Sequence, residues 1–227
     1  MFLLLIGCLC FIKIASAQNA KDSLAMEIQL MWNDKPLELN KNYVSKMKDT
    51  LQISKFKCFI SKIEIYYFDK TTFLQSNSYH LIDAENPNSL RIPICKKTDK
   101  AISKIIFSIG IDSLASVSGA IGGNLDPSNG MYWAWQSGYI NMKIEGKSNS
   151  CKTRNNAFQF HIGGYLQPYY AMRKVEFNIN DSKNITIGID MASFFSEIPL
   201  SSTNAVMIPG ETAMKMANHS VNMFEKE

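Results

Sequence analysis

Residues 124–146 carry the most distinctive group of side chains in this sequence. Two of the chain's three tryptophans, Trp133 and Trp135, lie here two residues apart, directly after a turn signal that ends in Asn129-Gly130. Residues two apart share one face of an extended segment, so we expect both indoles on the same side. An indole nitrogen carries a proton and has no free lone pair. Unmodified, these rings can therefore pack or stack but cannot hold a metal ion.

His161 is the histidine whose neighbours best suit a ligand. In residues 158–162 phenylalanine and isoleucine alternate with polar residues, so the apolar side chains share one face of a strand and His161 points to the other. Gly163-Gly164 follows and would let a backbone or a ligand come close. A histidine outside the core is more often a surface residue than a ligand, and this local pattern leaves both interpretations open.

The other two histidines have weaker surroundings. His80 lies in an alternating segment with no second ligand beside it, which favours a structural role. His219 lies near Met214, Met216 and Met223, and thioether sulfur suits Cu(I). A methionine stripe on a helix more often fills a core.

Three runs in the second half of the chain carry a family resemblance. They are residues 125–139, with Met131-Tyr132-Trp133-Ala134-Trp135 at the centre, residues 143–146 (Lys-Ile-Glu-Gly) and residues 160–165 (Phe-His-Ile-Gly-Gly-Tyr). These runs resemble the MbnP-like copper-binding domain family. Weaker likenesses at residues 37–43, 61–67 and 109–113 imply that the whole mature chain, residues 18–227, is one such domain.

The resemblance implies a copper site that depends on a modified tryptophan. In this family the first tryptophan of the Trp-x-Trp motif, here Trp133, is oxidised to kynurenine, whose aryl amine has a free lone pair. The motif around His161 also matches, so the resemblance implies that its imidazole ligates copper, as Cu(I). A partner of the di-haem cytochrome c peroxidase type and a role in copper homeostasis are implied as well. Further ligands could be Met131, His80 or His219, and the supporting aromatics are Trp135, Tyr132 and Tyr139.

An aromatic binding platform is the alternative function. On a β-sandwich, Tyr132, Trp133, Trp135 and Tyr139 could bind a carbohydrate or a partner protein without any metal. Catalysis has less support, because the sequence has no His-Glu-x-x-His, no Gly-x-Ser-x-Gly and no phosphate-binding glycine loop. We therefore expect a binding protein and not an enzyme.

Residues 1–17 resemble a signal peptide. An apolar stretch precedes Ala15-Ser16-Ala17, which has the small-x-small pattern of a cleavage site, so we expect a mature chain that begins at Gln18 and is periplasmic or secreted. A lipoprotein-like run ending in Cys8 makes a lipid anchor the minor alternative. No later segment approaches the roughly 18 unbroken apolar residues of a membrane-spanning helix, so we expect no transmembrane segment.

Composition argues against a nucleic-acid partner but does not decide whether the cysteines form a disulfide. The formal net charge is +4, but the basic residues are interspersed with acidic ones and form no block, so we expect no nucleic-acid partner. Without the leader the chain keeps Cys58, Cys95 and Cys151, and this odd number leaves at least one thiol unpaired. The sequence does not indicate which pair, if any, is bonded.

Alternation predicts that most of the chain is β-structure. Apolar and polar residues alternate in steps of two at 26–32 and 62–67. Further strands are predicted at 79–83, 90–94, 104–111, 140–144, 158–162, 175–179 and 185–189. Steps of three and four at Met214, Ala217, Val221 and Phe224 predict one helix near the C-terminus. The predicted fold is all-β, an antiparallel two-sheet β-sandwich with a short C-terminal helix.

Overall fold

The computed structural model describes residues 23–76, 78–136, 138–179 and 185–226. The predicted signal peptide, residues 1–17, and the alternative anchor site Cys8 lie outside the described residues. Within them, the strands form two sheets and the helices are few and short, which confirms the predicted all-β sandwich. No helix in these described ranges is both long and apolar enough to cross a membrane.

The smaller sheet has five strands and is built around β1 (Ser23–Trp32). On one side β1 pairs in parallel with β12 (Ile185–Asp190), which in turn pairs with β14 (Phe224–Lys226). Antiparallel partners of β1 are β2 (Lys35–Pro36) and β7 (Arg91–Lys96). The parallel pair joins the two ends of the domain and departs from the predicted antiparallel arrangement.

The larger sheet has nine strands, and β4 (Thr50–Tyr67) runs through it for 18 residues. β8 (Ile102–Ile109) and β9 (Ile140–Ser148) pair with different parts of β4, and β10 (Ala157–Gly163) pairs with β9. The remaining strands are β3 (Asn42–Val44), β5 (Thr72–Leu74), β6 (Tyr79–Asp83), β11 (Arg173–Asn178) and β13 (Ala205–Val206).

Three short α-helices complete the described structure: α1 (Ser113–Val117), α2 (Met191–Phe194) and α3 (Glu211–Ser220). α3 confirms the predicted C-terminal helix but ends earlier than its periodicity indicated. Val221 begins a 3-10 turn and Phe224 begins β14, so the helical assignment of both residues is wrong. Phe224 pairs with Ile189 of β12, and this pairing at the sheet edge overrides the local helical spacing.

The main cluster of buried apolar side chains joins the facing sides of both sheets. Phe158, Phe160 and Ile162 of β10 all belong to it, which confirms the face predicted by their alternation. The rings of Phe158 and Phe160 stack with centroids 5.6 Å apart. Cys58 and Cys151 are buried at this cluster, and Cys95 packs against it. All three cysteines have free thiols.

A second, smaller cluster covers the opposite face of the larger sheet. Strand residues Phe59 and Ile140 contribute to it, but most of its members come from residues 110–139, the connection between β8 and β9. We call it the outer cluster. Its buried members are Phe59, Ile111, Ala115, Leu125, Met131, Trp133, Tyr139 and Ile140.

Candidate functional site

A short hairpin in the β8–β9 connection carries the tryptophan pair. The backbone N–H of Trp133 donates to the Gly138 carbonyl, and the backbone N–H of Ile140 donates to the Met131 carbonyl, each over 2.9 Å. Residues 134–136 form the turn between these two short arms. Gly130 has a left-handed φ of 70° and ends the preceding 3-10 turn, a conformation that costs glycine nothing. The turn predicted before the tryptophans is therefore present.

Trp133 and Trp135 lie in different surroundings. Trp133 is 5% exposed and belongs to the outer cluster, whereas Trp135 is 64% exposed. The expected shared face is wrong because residues 134–136 turn and the segment is not extended. The two rings still lie near each other, with centroids 6.2 Å apart and planes tilted by 53°.

Trp133 rests directly on the backbone of β10 at Gly163. A Cβ added to Gly163 would lie 2.9 Å from Cη2 and Cζ3 of Trp133 and 2.6 Å from the Tyr139 carbonyl oxygen. Any other residue at position 163 would displace the indole or the hairpin, so only glycine leaves room for the Trp133 ring. Gly163 thus faces the outer cluster. His161, two residues earlier on the same strand, shares that face.

His161 is buried on this outer face, opposite the main-cluster side chains of its strand as predicted. Its side chain is 9% exposed, and its Nε2 lies 2.7 Å from Oε1 of Glu145 on β9. The hydrogen bond to His161 is the main cause that lowers the pKa of the Glu145 carboxyl below its usual value. A neutral imidazole bound in this way donates its Nε2 proton to the carboxylate and keeps the lone pair on Nδ1.

Two lysines tie the tryptophan hairpin to the sheet. Lys143 of β9 donates to the Gly130 carbonyl, and Lys57 of β4 donates to the Asn129 carbonyl over 3.3 Å. Lys57 also pairs with Asp83 over 2.9 Å in a largely buried position. Burial lowers the pKa of the Lys143 ammonium. The turn before Met131 is therefore held by charged donors on two neighbouring strands.

Tyr139 fixes the other end of the β8–β9 connection. Its hydroxyl accepts a hydrogen bond from the Ile121 N–H over 3.1 Å and lies 3.0 Å from the Leu125 carbonyl, to which it can donate. The ring packs edge-on against Phe59 and against Tyr132, with centroids 6.0 and 5.0 Å away. Tyr139 therefore ties the loop at residues 121–125 to the outer cluster that contains Trp133.

Two buried side-chain nitrogens in the described residues have no hydrogen-bond partner, and both lie in this region: Nε1 of Trp133 and Nδ2 of Asn141. Asn141 uses its Oδ1 to accept from the Ile111 N–H over 3.0 Å. A buried donor without an acceptor costs on the order of 1–3 kcal/mol, so such atoms often mark a functional site.

The sequence model of the MbnP family matches residues 21–210, which is most of the chain. The protein belongs to the MbnP family. A solved structure, MbnP from Methylosinus trichosporium, superimposes with a TM-score of 0.59 at 14% sequence identity and covers 78% of each chain. At this identity the likeness shows the shared fold. No curated protein sequence matches the chain.

Within this MbnP family member, the predicted ligands separate into two groups. Trp133, Met131 and His161 lie on the outer face of the larger sheet. In the described residues, no three His, Cys, Asp or Glu side chains come together as a metal-binding group. This face therefore presents the His161 imidazole and the Met131 thioether together with the Trp133 indole.

His80 and His219 do not join this group. His80 alternates with Tyr79 and Leu81, which pack on the outer cluster, so it faces the other side of β6. Its Nε2 lies 2.9 Å from Gln75 Oε1, and burial lowers its pKa. His219 lies on α3. Its Nε2 is 3.0 Å from the Ser193 carbonyl oxygen, and its ring lies beside Phe194 of the main cluster. Neither histidine is placed to share a metal ion with Trp133.

The four aromatics do not form an exposed platform in this MbnP-family chain. Trp133 and Tyr139 are buried, Tyr132 is half-buried, and only Trp135 among the four is exposed. A flat aromatic surface needs several open rings side by side. The alternative carbohydrate- or protein-binding function therefore loses its expected surface.

Sequence reasoning missed the residues that position this site. Glu145 and Lys143 are present in one of the runs that carried the family resemblance, but neither was assigned a role. Their alternation with Ile144 places both on the outer face, which was the available signal. Their partners, His161 and the Gly130 carbonyl, depend on strand register and loop folding, which local sequence does not reveal.

Proposed function

We propose that this protein is an exported copper-binding protein of copper homeostasis, which holds copper through His161 and through Trp133 after oxidation to kynurenine. One observation carries the proposal: the Trp133 indole is buried against Gly163, on the face of β10 that bears His161, and its Nε1 has no partner in the described residues. An indole that served only as packing would gain nothing from a buried donor without an acceptor.

Kynurenine formation would change this unpartnered atom into a donor to copper. The reaction breaks the carbon–carbon double bond of the five-membered ring, adds oxygen to both carbons and releases one of them as formate on hydrolysis. Nε1 stays on the six-membered ring as an aryl amine with a free lone pair. Cη2 and Cζ3, which pack against Gly163, belong to that six-membered ring. This contact would therefore keep the new amine in place.

The oxidising equivalents would come from a second protein. The family resemblance implies a partner of the di-haem cytochrome c peroxidase type, which would supply peroxide-derived oxidation to Trp133. Trp135 is exposed and its ring lies 6.2 Å from that of Trp133, so the hairpin presents one indole at the surface beside the buried one. This arrangement suits oxidation from outside the protein.

The remaining donors around Trp133 suit Cu(I). Imidazole nitrogen and thioether sulfur are borderline and soft ligands that Cu(I) accepts readily. His161 provides the first, and Met131, buried in the same cluster as Trp133, can provide the second. His80 and His219 are not part of the proposed ligand set, because they lie in other parts of the fold.

His161→Ala tests the ligand assignment, with His80→Ala as the matched control. In protein co-expressed with its peroxidase partner, we expect His161→Ala to lose most of its copper while its circular dichroism spectrum and melting temperature show a folded domain. His80→Ala should retain copper, because its Nε2 contacts Gln75 and not the outer cluster. Equal copper content in the two folded variants would overturn the assignment of His161.

A further inference from the structure

Glu145 contacts His161 across two neighbouring strands. In the register of β9 and β10, His161 faces Lys143 and Gln159 faces Glu145, so His161 and Glu145 are diagonal neighbours on one face. Their side chains meet at 2.7 Å, and Glu145 is 23% exposed. Diagonal pairs are within reach of long side chains but are not forced into contact by the sheet. The contact is therefore a specific feature of these two side chains.

The contact selects which imidazole nitrogen is free. A carboxylate only accepts hydrogen bonds, so a neutral His161 that pairs through Nε2 must carry its proton there. The lone pair then belongs to Nδ1. Metal-binding histidines commonly donate their other ring N–H to a carboxylate, which fixes the tautomer and the ring orientation.

We propose that Glu145 is the positioning residue of the site: it holds His161 as the Nε2–H tautomer and so restricts copper to Nδ1. This inference rests on the proposed function for its copper part, whereas the tautomer can be measured without metal. Glu145 contacts Nε2 and is not assigned as a copper ligand.

Gln75 and His80 provide an internal control for this arrangement. There too a side-chain oxygen meets Nε2 of a histidine, at 2.9 Å, but the partner is a neutral amide outside the outer cluster. The Gln75 Nε2 donates to the Pro93 and Ile94 carbonyls, so this pair is tied to another part of the fold and does not reach His161. Removal of Gln75 should therefore leave the site unchanged.

The first test reads the tautomer by long-range proton–nitrogen NMR of the metal-free, unmodified protein. We expect the His161 signals of the Nε2–H form in the wild type and a mixture of both forms in Glu145→Gln, which keeps the size of the side chain. The Nδ1–H form or a persistently charged ring in the wild type at pH 7.5 would overturn the inference, whatever the protein does with copper.

The second test measures Cu(I) affinity by competition with a chromophoric chelator, in protein matured by its partner. Glu145→Ala should bind about 10–100-fold more weakly, as expected when the outer partner of a metal-binding histidine is lost. Glu145→Gln should recover part of this loss, and Gln75→Ala should match the wild type. If His161→Ala loses copper but Glu145→Ala does not, Glu145 has no positioning role. If His161→Ala keeps its copper, the proposed ligand set fails, while the tautomer measurement still stands on its own.

Discussion

The two faces of the larger sheet differ in what they bury. The main cluster joins both sheets mostly with aliphatic and phenylalanine side chains, in the alternating pattern that the strands require. The outer cluster is smaller and depends on the β8–β9 connection. It lies beside buried polar groups such as His161 and Asn141, and it contains Trp133. The two described buried nitrogens without a partner, on Trp133 and Asn141, both lie on this second side.

This difference indicates a division of roles between the two clusters. In the described residues, the main cluster leaves no buried side-chain nitrogen or oxygen without a hydrogen-bond partner, which suits a core that stabilises a sandwich. The outer cluster retains unsatisfied polar atoms and buried ionisable side chains, which cost stability and tend to persist where they serve a function. Substitutions in the main cluster should therefore lower stability, and those in the outer cluster should lower copper binding.

Phe160→Ala should produce the largest loss of stability. The side chain is fully buried in the main cluster and contacts the rings of Phe158 and Phe195, so its removal leaves a cavity. We expect the free energy of unfolding to fall by about 3–5 kcal/mol in denaturant titration. Copper per folded molecule should stay near the wild-type value. A loss of copper from protein that remains folded would contradict the division between the clusters.

Gly163→Ala should have a smaller effect on stability and a larger effect on the site. The added Cβ would meet the Trp133 ring and the Tyr139 carbonyl at less than contact distance, so the hairpin has to move. Overpacking of this kind costs roughly 1–3 kcal/mol. Copper content should fall in protein matured by the peroxidase partner. In the unmodified protein, the fluorescence of Trp133 should change. Unchanged copper content would show that the packing of Trp133 against Gly163 is not required for copper binding.

Much of the main cluster could be predicted from sequence because its signal is local. β6 has the predicted bounds, and the alternation in β10 gave the correct face for Phe158 and Phe160. The parallel pairing of β1 with β12 could not be predicted, since it joins residues far apart in the chain. In the outer cluster, the motif pointed to Trp133 and His161, but the turn at residues 134–136 separated the two indoles, and Glu145 emerged only from the strand register.

Lys143→Met should have the smallest effect of the three substitutions on stability. It removes the ammonium that donates to the Gly130 carbonyl but keeps most of the aliphatic stem. We expect a loss of about 1 kcal/mol in the free energy of unfolding and a partial loss of copper, because the turn before Met131 becomes less fixed. Lys147→Met, at an exposed position on the same strand, is the control and should change neither quantity. Identical results for the two lysines would remove the hairpin-anchoring role of Lys143.

The central claim is that Trp133 is the modified copper ligand, and mass together with copper content tests it most directly. The comparison uses Trp133→Phe, Trp135→Phe and Trp32→Phe, each co-expressed with the peroxidase partner. Trp32 is as buried as Trp133 but stacks on Tyr43 at the main cluster, so it controls for the loss of a buried indole.

We expect intact-mass spectrometry to show the exchange of one carbon for one oxygen in the wild type and in Trp32→Phe, with copper bound in both. Trp133→Phe should show neither the mass change nor copper while it remains folded, and Trp135→Phe should lose less copper than Trp133→Phe. Equal copper contents in Trp133→Phe and Trp135→Phe, or a copper-loaded wild type with unmodified tryptophans, would contradict the account.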